Sequence, residues 1–569
     1  MLVIRVFSPV PRGSGNQMEM NMSDHEHGDA VAQVIPIEAA KQRRQAPPPP
    51  DDDARDNPPE APREAAVSDV EMLVALLMRH ASVFVDEVNT PYAHVQVGDH
   101  REVMRLASRT FRVWFETLIF ATLRTLPPVG RRREALTVVE GIARMRADRR
   151  SVHLRVAGHG DRIYVDLTND GWEAVEVSPT GWSISNSSPV MFRRSSNALP
   201  LPTPVAGGNI EELRTLVNVR DDDSFHLLVG YLVMALRPRG PYPIAALAGE
   251  QGSAKSTTAK VLRLLLDPSR APLRALPKYE RDLAVSAVHN WVLAYDNLSG
   301  LAPAMSDALC RIATGGGLSS RQLFTDSDEV VLDFSRPMVI NGIDDLATRP
   351  DLAERALLIS LPRIEKADRE DEATFWKRFE AAAPRILGAL LDGVSAALAN
   401  VDSVVIDELP RMADFATWVT AAEPAFGWAP GTILGAYRRN RVEADADALD
   451  RDPVASLIPR LLRQMAGAPW EGTPTSLYQR LSGMADEAHK RAEGWPRAAN
   501  SMTGKLRRIA PLLRAAGISL AERRIPNARL ITICWTEASR SSSSSSDDKP
   551  KGQQYQGPDG PDGSDGGAR

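Results

Sequence analysis

Apolar residues recur at helical spacing from Val70 to about Ala147. Leu73, Leu76 and Leu77 come first, then Val103, Leu106, Phe111, Trp114, Phe115 and Leu118. Spacings of three and four place such residues on one helix face. From Ser151 to about Arg194 the period shortens to two: Val152, Leu154 and Val156 alternate with polar residues, and Ile163, Val165 and Leu167 follow. Turn signals at Asn169-Asp170-Gly171 and Pro179-Thr180-Gly181 separate the runs, predicting a small antiparallel β unit. Its Trp172 and Trp182 are read as packing aromatics rather than base-stacking ones. Residues 196–208 are rich in Pro and Gly and read as a linker. From Ile210 to about Pro362, short apolar runs alternate with helical patterns, which predicts a parallel sheet covered by helices. A long helical region follows to about Met465, and Gly472–Trp535 reads as helix, helix and hairpin. No internal repeat stands out.

Both ends break this patterning. Residues 1–68 carry Pro47–Pro50, Asp51-Asp52-Asp53 and Pro58-Pro59, too little apolar surface to fold. The tail 537–569, with its serine run and Gly/Asp/Pro repeats, also reads as disordered. The expected organisation is therefore a disordered 1–68, a helical plus small β accessory region 69–205, and an α/β core 206–365. A helical region 366–470, a helix-and-hairpin unit 471–536 and the tail 537–569 complete it.

Composition narrows the picture modestly. A chain of 569 residues has room for roughly three or four domains. With 25% charged and 43% hydrophobic residues it has the balance of a soluble globular protein. The net charge of −5 gives no global attraction to nucleic acid, so any such signal must be local. Cys310 and Cys534 are too few for a disulfide framework and suit a reducing cytoplasm. The longest apolar stretch, Phe225–Leu236, is too short to span a bilayer, and the N-terminus lacks the apolar core of a signal peptide. Met18, Met20 and Met22 leave a later start open.

The richest chemistry lies in Ala245-Ala246-Leu247-Ala248 followed by Gly249, Glu250, Gln251, Gly252, Ser253, Ala254, Lys255, Ser256 and Thr257. A short apolar run, a glycine-bearing loop, Lys-Ser and a helical pattern follow in the order of a phosphate-binding loop. Backbone N–H groups of the loop and helix start would surround the phosphates of ATP. Lys255 would reach the β and γ phosphates, and the Ser256 hydroxyl would bind Mg²⁺. The usual pattern has glycine before the lysine; here it is Ala254.

Trp291–Asp296 fits a buried strand presenting a carboxylate, Asp296, to Mg²⁺. Lys255 and Asp296 are 41 positions apart, compact spacing for two strands of one sheet. A third apolar run, Pro337–Gly342, ends in Asn341, which suits a group holding the attacking water and equally a turn-forming Asn-Gly. Arg355, and second Arg349, precede an apolar run and fit arginines projecting into a neighbour's nucleotide site; an ordinary ion pair with Asp351 or Glu354 is the plainer alternative. Between the second and third strands, Gly315-Gly316-Gly317 makes a mobile loop, with Arg321 and Phe324 just beyond. Such a loop can touch a DNA backbone or be a simple hairpin turn.

In 497–533, Lys505, Arg507, Arg508 and Arg514 lie on a predicted helix, and Arg523, Arg524 and Arg529 on a hairpin, opposed only by Glu522. Helix followed by a basic two-stranded wing is a winged-helix pattern. Its charge is a DNA-backbone footprint or a solvated basic surface, with little able to read bases.

The ordered set GEQGSAKST, WVLAYDNLS, SDALCRIATGGG, RPMVINGI and DLAERALLISLP resembles the AAA+ ATPase module of phage- and plasmid-type primase–helicase proteins (superfamily 3, D5-like), over roughly 210–365. The resemblance implies a P-loop AAA+ core and an ATP-driven homo-oligomeric ring, such as a hexamer, acting on single-stranded or forked DNA. It implies Lys255 and Ser256 at phosphate and Mg²⁺, Asp296 as Walker B carboxylate, Asn341 as sensor 1 and Arg355 as arginine finger. Asn297 stands where many members have a glutamate that polarises water, so another carboxylate, such as Glu250 or Asp307, would have to serve. No primase domain is evident, so priming would come from a separate protein. Two further classes stay open: a nucleotide-switched DNA-binding loader or regulator, which Asn297 favours, and a small-molecule kinase, for which no acceptor pocket is visible.

Overall fold

The computed structural model describes residues 68–536, apart from 147, 317, 322–328, 333–334, 343–348 and 527. The ends expected to be disordered lie outside these residues, except Ser68, which caps the first helix. Phe324 also lies outside them.

The centre is a four-stranded parallel sheet. Ile244–Ala248 (β1), Leu293–Leu298 (β2), Met338–Gly342 (β3) and Ala356–Ser360 (β4) lie in the order β2-β3-β1-β4. The strands are nearly continuous apolar runs because both faces are covered. Ala245, Leu247, Val339, Leu357 and Ile359 point into one core. It is filled by Asp222–Ala235 (α1), Lys255–Leu266 (α2) and helices beyond the sheet. Ile244, Ala246, Met338, Ile340 and Ala356 point into another, against Pro303–Thr314 (α3). The predicted parallel α/β core is thus present, and the apolar stretch Phe225–Leu236 is a helix buried nearly all round.

Glu372–Asn400 (α4) and Thr432–Arg451 (α5) supply the helical region after the sheet. By length and composition α4 could cross a membrane, yet 67% of its most apolar window is buried inside the protein. A Cβ at Gly393 would press on the Phe426 ring, so any larger residue there would have to shift that ring.

The predicted β unit is also present. Val156–His159, Arg162–Asp166, Ala174–Ser178 and Gly181–Ser185 form an antiparallel meander. It shares the main core rather than standing apart, since Val156, Ile163, Val165, Val175 and Val177 join that core. Trp182 Nε1 donates to Asp392 Oδ1 of α4 at 2.8 Å. Trp172 packs between the His100 ring, 5.2 Å away, and the Arg194 guanidinium, 3.7 Å away. A buried clamp fastens this sheet to the core. Arg155 Nε donates to Asp267 Oδ1 at 3.1 Å, just beyond the end of α2. Asp267 Oδ2 accepts the N–H groups of Trp291 and Val292 at 2.9 and 3.1 Å.

The helical reading of 70–147 is corrected in part. Between the helix Asp69–His80 and the helices Arg109–Leu123 and Val129–Met145 lies a three-stranded antiparallel sheet. Its strands are Ala81–Val85, Pro91–Val97 and His100–Arg105. Val83, Val85, Val95, Val97 and Val103 are β-branched and alternate, and Asn89 and Gly98 turn the chain at φ 63° and 60°. Val103 therefore belongs to a strand.

At the C-terminal end, Leu457–Gln464 (α6), Trp470–Gly472 (β5), Pro474–Met484 (α7), Met502–Ala515 (α8), Ile518–Ile525 (β6) and Ala528–Trp535 (β7) make one unit. The sheet order is β5-β7-β6. Its core takes in Leu449, Val454, Leu457, Ile458 and Leu461, so the residues that pack together begin before 471.

Candidate functional site

The loop Gly249–Ala254 leaves the C-terminal end of β1 and turns into α2. A Cβ on Gly249 would collide with the Leu361 carbonyl, so only glycine fits. Gly252 and Ala254 both take left-handed backbone, at φ 84° and 60°. The second explains why the common pattern has glycine there: an alanine pays a backbone cost. Ser253 is buried and its Oγ donates to the Glu250 carbonyl at 2.9 Å. Glu250 and Gln251 are exposed, and Thr257 is half-buried in the first turn of α2.

Lys255 Nζ curls back over this loop, donating to the Gly249 and Glu250 carbonyls at 2.6 and 2.7 Å. Burial lowers its ammonium below the ordinary value, and the nearby Asp296 charge pulls the other way. Ser256 Oγ donates to Asp296 Oδ1 at 2.9 Å. Two residues 40 positions apart thus meet at the mouth of the loop. β3 lies between β1 and β2, and its Asn341 is buried. Asn341 Oδ1 accepts the Asn297 N–H at 2.9 Å, and its Nδ2 has no hydrogen-bond partner among the described residues. Asn297 is exposed, at φ 56°, where the β2–β3 register breaks.

The loop, Lys255, Ser256, Asp296, Asn297 and Asn341 therefore converge, while Arg355 does not. Its carbonyl accepts the Ile244 N–H at 2.9 Å, at the start of β1. The loop leaves the far end of that strand, about 16 Å away at 3.3 Å per residue. Arg355 Nη1 donates to the Asp351 carbonyl at 2.6 Å, and Glu354 pairs instead with Arg411. Arg349 is held by Asp307 at 3.0 Å. Arg321 ends the strand Leu318–Arg321, paired antiparallel with Glu329–Leu332; its side chain lies outside the described residues.

The motifs did not point to two further residues. Asn218 Nδ2 donates to the carbonyls of Ser253 and Pro362 at 3.1 and 2.6 Å, tying the loop from outside. Arg369 lies against Gly252, on a segment whose Ile364 N–H donates to the Gly252 carbonyl at 3.1 Å. Neither sits in a recognisable pattern, because both reach the loop only through the fold.

The C-terminal basic cluster divides. Lys505 is corrected: it is buried, and its Nζ pairs with Asp452 at 2.5 Å, so it is a tie within the unit rather than a surface cation. Arg507 and Arg529 share Glu522, at 3.1 and 3.7 Å, and Arg523 meets Glu471 at 3.3 Å. Arg508 and Arg524 are exposed. Arg524 stands directly across the β6–β7 ladder from Arg529, a like-charge pairing that costs stability unless an anion lies between.

Among the described residues, no group of three His, Cys, Asp or Glu side chains could hold a metal ion alone. The donors present are a hydroxyl and one carboxylate, Ser256 and Asp296. That set fits a hard divalent cation which takes its other oxygens from phosphate and water.

Its sequence places the chain among the replication proteins of mobile elements. Residues 210–447 match the family of the actinomycete integrative conjugative element replication protein, and residues 454–546 match the AICE RepA C-terminal domain. The two matches, in order, span more than half of the chain, which belongs to this RepA family. No curated protein matches the chain. Among solved structures, the apo C-terminal region of NrS-1 aligns at 11% identity over 82% of this chain and 99% of that one, with a TM-score of 0.40. Two further structures of the same region align with TM-scores of 0.37 and 0.38.

Proposed function

We propose that this replication protein is an Mg-dependent ATPase of the AAA+ type that acts on DNA as a homo-oligomeric ring. One observation carries the reading: Ser256 on α2 and Asp296 on β2 meet at 2.9 Å beside Lys255, across the strand that bears Asn341. That is the arrangement a nucleoside triphosphate site requires.

In this mechanism the loop N–H groups and the start of α2 bind the phosphates. Lys255 leaves the Gly249 and Glu250 carbonyls, which hold it meanwhile, and pairs with phosphate oxygens. Ser256 and Asp296 would hold Mg²⁺, which would neutralise phosphate charge when bound. Asn341, whose Nδ2 has no partner among the described residues, orients the attacking water. Asn297 can hold that water but cannot take its proton; Glu250, exposed on the loop, can. Asp307 is already committed to Arg349. Arg355, at the opposite end of the sheet from its own loop, serves the site of the next subunit, where it offsets charge on the transferring phosphoryl group.

The C-terminal unit, helices and a three-stranded sheet ending in a basic hairpin, supports a winged-helix role in DNA binding. Arg507, Arg508, Arg523 and Arg524 meet phosphates there, with weak sequence preference. Titration with ATP and Mg²⁺ in a calorimeter tests the site. Lys255→Ala should weaken binding by at least about tenfold; unchanged binding would put the nucleotide elsewhere. One observation favours a second reading. Asn297 in place of a carboxylate suits a nucleotide-switched loader or regulator that binds ATP and DNA and turns over little.

A further inference from the structure

The helix Arg109–Leu123 has two faces. One buries Phe111, Phe115 and Ile119 in the core of the N-terminal module. The other carries Arg109, Arg112, Val113, Glu116 and Phe120, aligned at about 100° per residue, with Arg124 at the C-terminal cap. Val113 is 54% and Phe120 53% exposed. These are large apolar side chains turned to solvent in the middle of a positive surface.

The charge is one-sided. Residues 105–146 contain nine arginines against three glutamates, with no lysine and no aspartate, in a chain of net charge −5. All three glutamates are taken: Glu116 by Arg132, Glu134 by Arg131 and Glu140 by Arg144. Arg105, Arg109, Arg112, Arg124, Arg133 and Arg146 are exposed and have no carboxylate partner among the described residues. Arg124 also sits at φ 58°, a left-handed cap position where glycine is favoured. A strained arginine is kept there in place of the residue the backbone prefers.

We propose that this face is a second binding surface for single-stranded DNA, separate from the C-terminal unit. Arginines along one helix face suit a flexible phosphate backbone. An exposed phenylalanine among them offers a ring on which an unpaired base can stack. A duplex would use the arginines but leave Phe120 unused, since its bases are already stacked on each other. The inference rests on membership of a replication-protein family and not on the nucleotide site. The module has its own core, distinct from that of the C-terminal unit, so the two surfaces can be altered independently.

The test is fluorescence anisotropy with a labelled oligo-dT of about 20 nucleotides, the full-length protein, no nucleotide, and several salt concentrations. The variant Arg109→Ala/Arg112→Ala/Arg124→Gly should weaken binding roughly 10- to 100-fold at low salt. It should also lower the log–log salt slope by about 2, near 0.7 for each phosphate no longer neutralised. Arg124→Gly alone relaxes the cap, so it should weaken binding while the melting temperature holds or rises. Phe120→Ala should weaken single-strand binding several-fold and leave the salt slope and duplex binding unchanged. The C-terminal variant Arg507→Ala/Arg508→Ala/Arg524→Ala, run alongside, should weaken binding by an independent factor. Weaker binding in that variant with none in the N-terminal one would overturn this proposal and leave the C-terminal reading standing; the reverse would do the opposite. The proposal also falls if the N-terminal variant changes only the sedimentation of the protein, making the face a subunit interface. It falls too if that variant loses only binding to phosphatidylglycerol vesicles.

Discussion

Residue by residue, the proposed nucleotide site was legible because the residues that would form it are written locally. Gly249, Lys255 and Ser256 lie within eight positions, and the loop that joins strand to helix needs those residue types together. Ala254 was readable as a departure, and its left-handed backbone gives the physical reason. Ala254→Gly should remove that strain, offset in part by glycine's greater freedom when unfolded. The net gain should be roughly 0.5–1 kcal/mol, read as a higher denaturant midpoint. Lys505 was not legible. Its sequence neighbours are basic, but its fate is set by Asp452, 53 positions earlier. Lys505→Ala should cost roughly 1–3 kcal/mol, since Asp452 Oδ2 loses its partner while Oδ1 keeps the Val454 and Ala455 N–H groups, yet the folded fraction should bind DNA as before. Arg508→Ala should do the reverse, with weaker DNA binding at unchanged stability. Thermal melts and anisotropy on the same two variants separate these outcomes.

Among the elements, the parallel strands were legible because burial on both faces leaves continuous apolar runs between helical patterns. The sheet Ala81–Arg105 was missed because its strands are short and their alternation sits between true helices. Leu457–Gln464 packs with the C-terminal unit, and no local pattern announces which core a helix joins. Helix α1 owes part of its start to Asp221. Its carboxylate accepts the Ser224 N–H at 2.8 Å and pairs with Arg220 at 2.7 Å. Arg220 also reaches Glu443 of α5 at 3.0 Å. Burial alone would raise this carboxylate, but the Ser224 bonds and the Arg220 charge outweigh it and hold it at about 2, below the ordinary 3.8. A depressed acid stabilises the fold above its unfolded value and loses that contribution as pH falls through the folded one. The window is therefore between 3.8 and about 2. Hydrogen exchange of the first amides of α1 should accelerate across that window. In Asp221→Asn, which keeps a capping oxygen, the acceleration should flatten.

At the scale of the whole molecule, the sheet puts two sets of residues at opposite ends. The loop, Asp296 and Asn341 stand at one end, and Arg355 at the other. No residue pattern shows this separation directly; it follows from the parallel order of the strands. In the proposed ring, a subunit built this way would hold a site that its neighbour completes. The measurement that tests this most directly is steady-state ATP hydrolysis with and without single-stranded DNA. It is run for the wild type, for Lys255→Ala, for Arg355→Ala and for the two variants mixed. Turnover should rise with DNA in the wild type and be lost in each variant alone. It should return in part in the mixture, where an intact loop of one subunit meets an intact Arg355 of the next. Full turnover in Arg355→Ala alone, or a mixture as inactive as its parts, would contradict the shared-site ring.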